Sequence, residues 1–136
     1  SFTYGQINFR TGDSSLDAEL NISNSEAEQD MPKFKSNLTL EFGIAAPKIE
    51  SLLKVMKPAE ALLAIRISAI SKKSLDVVTQ IYQVDKDKGW GHIAKQMGIK
   101  PGSPEFHALK GKKKSSPAGK QSNGNSNGQG NAKGKK

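Results

Sequence analysis

The amino-acid sequence predicts a mainly α fold: a small single domain of four to five short helices, a possible N-terminal β-hairpin, and a disordered basic tail. Three observations carry that reading. From Pro47 to Leu109 the apolar residues recur at helical spacing, in runs that open on Pro or Ser and close on turn residues. Between Leu16 and Phe42 they alternate instead with polar residues, with the period of two of a half-buried strand. Beyond Lys110 only Pro117, Ala118 and Ala132 relieve a run of Gly, Ser, Asn, Gln and Lys. Such a segment buries too little to offset the ~1–2 kcal/mol per residue that backbone ordering costs. The domain is accordingly set at 1–109 and the tail at 110–136.

Leu16, Ala18, Leu20 and Ile22 alternate with Asp17, Glu19, Asn21 and Ser23, and Leu38, Leu40 and Phe42 with Asn37, Thr39 and Glu41. The preferred reading is a short antiparallel pair joined through 24–33. Phe34, Leu38 and Phe42 also stand at i, i+4 and i+8, so residues 14–43 stay open between strand and helix. From Pro47 the period lengthens. Ile49, Leu52, Leu53 and Met56 form one stripe, with Pro47 in a first-turn position and Pro58 beyond its end. Pro58 opens a second helix that is apolar on most sides as far as Ile70, the pattern of the central helix of a core. Ser74 is a predicted N-cap with Asp76 in the first turn, ahead of a stripe of Val77, Val78, Ile81 and Tyr82. After the charged link 85–89 a short helix begins at Trp90, with Ile93, Ala94 and Met97 inward and Gly98 at C′. Ser103, Pro104 and Glu105 then supply N-cap, first helical position and first-turn acid for a last helix that buries Phe106 and Leu109. Segments 69–77 and 98–106 share one order of small, apolar, turn, Ser, acid and apolar residues. Either a duplication or the common chemistry of capped corners explains that similarity.

The formal net charge of +8 is unevenly placed. Lys110, Lys112, Lys113, Lys114, Lys120, Lys133, Lys135 and Lys136 supply eight of the 21 basic residues with no acid among them, and the other 13 cancel the 13 acids. Attraction to polyanions is therefore expected first of the tail, as weak, salt-sensitive, sequence-independent contacts with phosphate-rich polymers or anionic envelope components. Within the domain, Ser1 to Asp30 holds six acids and only Arg10, whereas Met31 to Leu109 has twelve bases and seven acids. The two stretches should attract each other. Cysteine is absent, which excludes disulfides, thiolate zinc sites and cysteine nucleophiles. No run approaches the ~18 apolar residues of a membrane span. The start at Ser1, without Met, is read as a mature end left by removal of a leader, or as a trimmed boundary.

Little else points to chemistry. Ile93-Ala94-Lys95-Gln96-Met97-Gly98-Ile99 has the Ala, three residues, Gly spacing of a helix-turn-helix corner, which would make 90–110 a nucleic-acid-binding module. The helix after it offers only Glu105, His107 and Lys110 to a base edge, and no Arg follows Arg66, so this is the alternative reading. His92 and His107 lack carboxylates at a metal-ligand spacing and are expected to be surface or packing residues. No metal, cofactor or catalytic group is assigned. Trp90, between Gly89 and Gly91, has the form of a stacking platform, but a core anchor whose glycine neighbours admit backbone explains it better.

The block Gly89-Trp90-Gly91-His92-Ile93-Ala94-Lys95-Gln96-Met97-Gly98-Ile99-Lys100-Pro101-Gly102-Ser103-Pro104-Glu105-Phe106-His107-Ala108-Leu109-Lys110 resembles the C-terminal block of an uncharacterised family of small, generally exported bacterial proteins, often with a Lys/Gly-rich tail. The likeness extends less tightly through Lys57-Pro58-Ala59-Glu60 and Asp76-Val77-Val78 to 16–42. It implies a bacterial, periplasmic setting, supplies no catalytic residues, and argues against a nuclear or cytosolic DNA-binding role. The expected function is that of a non-enzymatic periplasmic, envelope or secreted protein whose basic tail contacts polyanions or acidic surfaces.

Overall fold

Asp13 begins the regular structure of the chain, a computed structural model of which describes residues 6–111. Its Oδ1 accepts from the amides of Ser15 and Leu16 at 2.9 and 3.1 Å, pairing donors that the first turn of a helix cannot satisfy internally. Helix α1 runs from there over Ser14–Gln29. Asp30 caps both of its neighbours: its N–H donates to Glu26 O, and its Oδ1 accepts from Lys33 N at 3.1 Å. Helix α2 (Met31–Phe42) therefore starts at once, with Pro32 in its first turn.

The β-hairpin expected within 16–42 is thus replaced by two helices, and no strand occurs among the described residues. Leu16, Leu20, Asn24 and Ala27 are buried at helical spacing, while Ala18 and Ile22 point outward. Polar members of the inward set disguised the period. Asn21 is buried because its Nδ2 donates to Ile7 O and its Oδ1 accepts from Ile7 N, at 2.9 and 2.8 Å. Asn24 is buried because its Oδ1 accepts from the amide of Ala59 at 2.7 Å, supplying from a distance a cap that Lys57 does not provide.

The five helices expected after Pro47 are present: α3 (Ala46–Val55), α4 (Pro58–Ser71), α5 (Leu75–Asp85), α6 (Trp90–Gln96) and α7 (Pro104–Ala108), with a 3₁₀ turn over Lys86–Lys88. Helix α4 is buried over nearly its whole circumference from Pro58 to Ile67, and α1, α2, α3, α5 and α7 pack around it. Ile49 and Leu52 of α3, Trp90, Ile93 and Ala94 of α6 and Phe106 of α7 face this core, as do the residues that end these helices, Met56, Met97 and Leu109. Val77 is a correction, since α5 buries Leu75, Val78 and Tyr82 and turns Val77 outward. The predicted caps form: Ser74 Oγ accepts from Val77 N, and Ser103 Oγ from Phe106 N. At the end of α6, Gly98 takes φ 87°, and the amides of Gly98 and Ile99 close on the carbonyls of Lys95 and Ala94, each at 2.9 Å. The corners at 69–77 and 98–106 share only their N-cap halves. The first turns on Lys72 alone at φ 63°, the second on Gly98 and Gly102.

Residues 6–12 cross the molecule as an irregular strap, with Phe9 and Thr11 buried. The amides of Trp90 and Gly91 donate to the carbonyls of Phe9 and Arg10 at 3.0 and 2.9 Å. The strap thereby pairs the first donors of α6, a helix with no side-chain cap. Helix α2 is embedded more shallowly: only Leu38 is buried, and Leu40 is largely exposed. No described helix is long and apolar enough to cross a membrane.

Candidate functional site

Of the lysines assigned to the polyanion-binding tail, Lys110 lies among the described residues, and it is held on the domain. Lys112, Lys113, Lys114, Lys120, Lys133, Lys135 and Lys136, like all of the tail expected over 110–136 except its first two residues, lie outside the described residues. Contacts with the domain continue two residues past the boundary expected at Leu109. The Lys110 ammonium is 3.0 Å from Asp13 Oδ2. Arg66, which leaves α4 with its side chain only 14% exposed, donates from Nη1 to Glu19 Oε2 at 3.1 Å and to Leu109 O at 3.0 Å. The Gly111 amide donates to the same Glu19 oxygen at 2.7 Å. Charge-assisted bonds to half-buried groups are stronger than surface ion pairs, so the end of the domain is tied to α1 and α4. Glu19–Arg66 also realises the attraction expected between residues 1–30 and 31–109.

Asp13 is the most perturbed carboxylate of this region. Its pKa is held far below the usual range, first by the Ser15 hydroxyl, which donates to it at 2.7 Å. Partial burial opposes that shift, and Lys110 and the Leu16 amide add to it. A depressed folded-state pKa contributes stability that is present above the unfolded carboxylate value of ~3.9 and is lost as pH falls below it. Asp13→Ala should therefore cost about 1 kcal/mol near neutrality. The difference from wild type should shrink between pH of about 4 and about 2, as read by urea denaturation at each pH. An unchanged difference in acid would show that the charge of Asp13 contributes nothing.

A groove lies between α1 and α2. It measures ≈ 540 Å³ and is lined by Glu19, Ile22 and Glu26 on one side and by Phe34, Asn37 and Glu41 on the other, with Arg66 also contributing. At one end it meets a ≈ 430 Å³ hollow that shares Glu41 and Arg66 and is bordered by Lys110 and Gly111. At the other it runs on, past Glu26, Phe34 and Asn37, into a ≈ 550 Å³ hollow reaching Asp30. Three carboxylates against one guanidinium give the central groove negative character, and Ile22, 58% exposed, gives it an apolar wall. Sequence reading missed this surface. Glu19 and Glu26 are seven residues apart, which places them on one face of a helix but on opposite faces of a strand.

Trp90, His92 and His107 do not form a site together. Trp90 is 3% exposed, stacks on Tyr82 with ring centroids 5.3 Å apart, and donates from Nε1 to Glu60 Oε2 at 3.1 Å. Glu60 Oε1 accepts from the Tyr82 hydroxyl at 3.2 Å and from Lys57 N at 3.0 Å. Burial, with the charge and hydrogen bond of Glu60 adding, pushes the Tyr82 phenol up to about 12. All of these groups are satisfied by one another, which is the signature of a packing node. His92 pairs with Asp85 at 3.1 Å on a partly exposed face, and His107 is exposed beside Phe106. No group of three or more His, Asp or Glu side chains among the described residues is placed to hold a metal ion.

None of the protein-family models, curated proteins or solved structures compared with the chain matches it.

Proposed function

We propose that this is a non-enzymatic, exported protein of the bacterial periplasm or envelope whose C-terminal lysines make non-specific contacts with polyanions or acidic surfaces. One observation carries the reading: up to Gly111 the chain has 14 basic and 13 acidic residues, and beyond it seven lysines and no acid. Anchoring of Lys110 and Gly111 by Asp13 and Glu19 supports it, because the lysines then follow from a fixed point on a body of almost no net charge. A polyanion meets them with little repulsion from the domain. The exported setting is supported by the resemblance of 89–110 to a family of exported proteins. The helix-turn-helix alternative over 90–110 finds no such support. Its second helix, α7, has five residues, and the link from α6 is longer than the 3–4-residue turn of that motif.

Mixed-sequence duplex DNA is a suitable polyanion probe. Binding by the full chain should weaken on the order of a thousandfold between about 50 and 200 mM salt if six or seven lysines engage phosphates. Replacing the seven lysines after Gly111 by glutamine should abolish it, while circular dichroism stays unchanged. Affinity retained by the glutamine variant, or insensitive to salt, would overturn the proposal.

A further inference from the structure

We infer that the groove between α1 and α2 is the seat of the chain's own Lys112-Lys113-Lys114 segment, and that a polyanion must draw these lysines out of it to bind them. The second clause rests on the polyanion reading above; the first does not.

The chain is delivered to the groove. Gly111 is hydrogen-bonded to Glu19, itself a wall residue of the groove, and it borders the hollow that opens into the groove past Glu41 and Arg66. Three extended residues beyond Gly111 reach ~10 Å, and Glu19 to Glu26 is two helical turns, also ~10 Å. Three such residues are therefore long enough to reach from Glu19 to Glu26. Charge is complementary as well: Glu19 is paired with Arg66, which leaves Glu26 and Glu41 as the groove carboxylates for a segment of three consecutive lysines. The apolar wall at Ile22 and Phe34 suits lysine, whose methylene stem packs on apolar surface while the ammonium reaches a polar rim. Glu26 and Glu41 are exposed, so each contact is weak and screened by salt. A seat of that kind holds the segment at rest and yields to a polymer of denser charge.

Absence of cysteine allows one spin label to be placed by Ser116→Cys in the full chain. Paramagnetic broadening of amide signals should concentrate on 19–26 and 34–41. It should fall severalfold in about 0.5 M salt, and equally in Glu26→Gln/Glu41→Gln, a variant that leaves the structural Glu19 in place. Broadening spread evenly, or centred on another face, overturns the seat. So does broadening that appears only on isotope-labelled chains mixed with spin-labelled ones, since the occupant is then a second copy. Duplex DNA should erase the broadening, and the double glutamine variant should bind DNA severalfold more tightly than wild type. Equal affinity overturns the competition. If DNA binds neither protein, the polyanion reading fails while the broadening still decides the seat. If DNA binds wild type and no localised broadening exists, the seat fails and the polyanion reading stands.

Discussion

Glu60→Ala should lower the unfolding free energy by about 3 kcal/mol. Glu60 sits in the first turn of α4, and its two oxygens accept from three donors: Lys57 N, the Tyr82 hydroxyl and Trp90 Nε1. Trp90 and Tyr82 are 3% and 7% exposed, so their donors are largely shielded from water that could replace the lost acceptor. A buried donor left unpaired costs ~1–3 kcal/mol, and two are left here. Glu60→Gln keeps a single oxygen, and its cost should fall between that of Ala and wild type. The same substitution has a spectroscopic signature. Tyr82 is raised to about 12 chiefly by burial and next by Glu60, so in Glu60→Ala its pKa should drop only part of the way toward the ordinary ~10. Because the folded value is the higher one, the stability it contributes is complete below ~10 and is lost as pH rises through about 12. Tyrosinate absorbance in a Tyr4→Phe background follows Tyr82 alone, as the chain has two tyrosines. A Glu60→Ala protein within about 0.5 kcal/mol of wild type would show that the node is not formed in solution.

Gly91→Ala offers a test of sign. Gly91 lies in α6, where replacing Gly by Ala ordinarily stabilises by ~1 kcal/mol. Here a Cβ would stand 2.7 Å from the backbone oxygen of Thr11 and 3.1 Å from that of Arg10. Both atoms belong to the strap, which is held in place from its other side by Asn21 and Asp17. It cannot retreat without giving up the bonds from Trp90 and Gly91 to Phe9 and Arg10. The expected outcome is a loss of about 2 kcal/mol, in the range of overpacked sites, with faster hydrogen exchange at Trp90 and Gly91. A variant more stable than wild type would mean that the strap does not lie against α6.

Much of the fold from Pro47 onward was legible because each helix there carries its own punctuation. Pro47 and Pro58 mark starts, Ser74 and Ser103 cap, Gly98 ends a helix, and the inward residues of α3, α4 and α6 are apolar. Trp90 and its flanking glycines were legible in kind, as a core anchor approached by backbone, although nothing local named the strap as that backbone. The candidate site was legible only as a charge imbalance. Its acidic counterpart depends on Glu19, Glu26 and Glu41 sharing one groove, which follows from α1 and α2 being helices.

The chain by itself determined a helical domain, the caps and corners of its second half, and the separation of a nearly neutral body from a lysine-bearing end. Tertiary structure decided the first half. Local pattern reports which residues can be buried at a low cost, and α1 turns Asn21, Ser23 and Asn24 inward, a set that periodicity assigns to solvent. For Asn21 and for the Asn24 side-chain oxygen the partners arrive from elsewhere: Ile7 is 14 positions from Asn21, and Ala59 is 35 from Asn24. A hydrogen bond whose second half lies so far along the chain leaves no trace in a window of neighbouring residues, yet it determines which face of the helix points in.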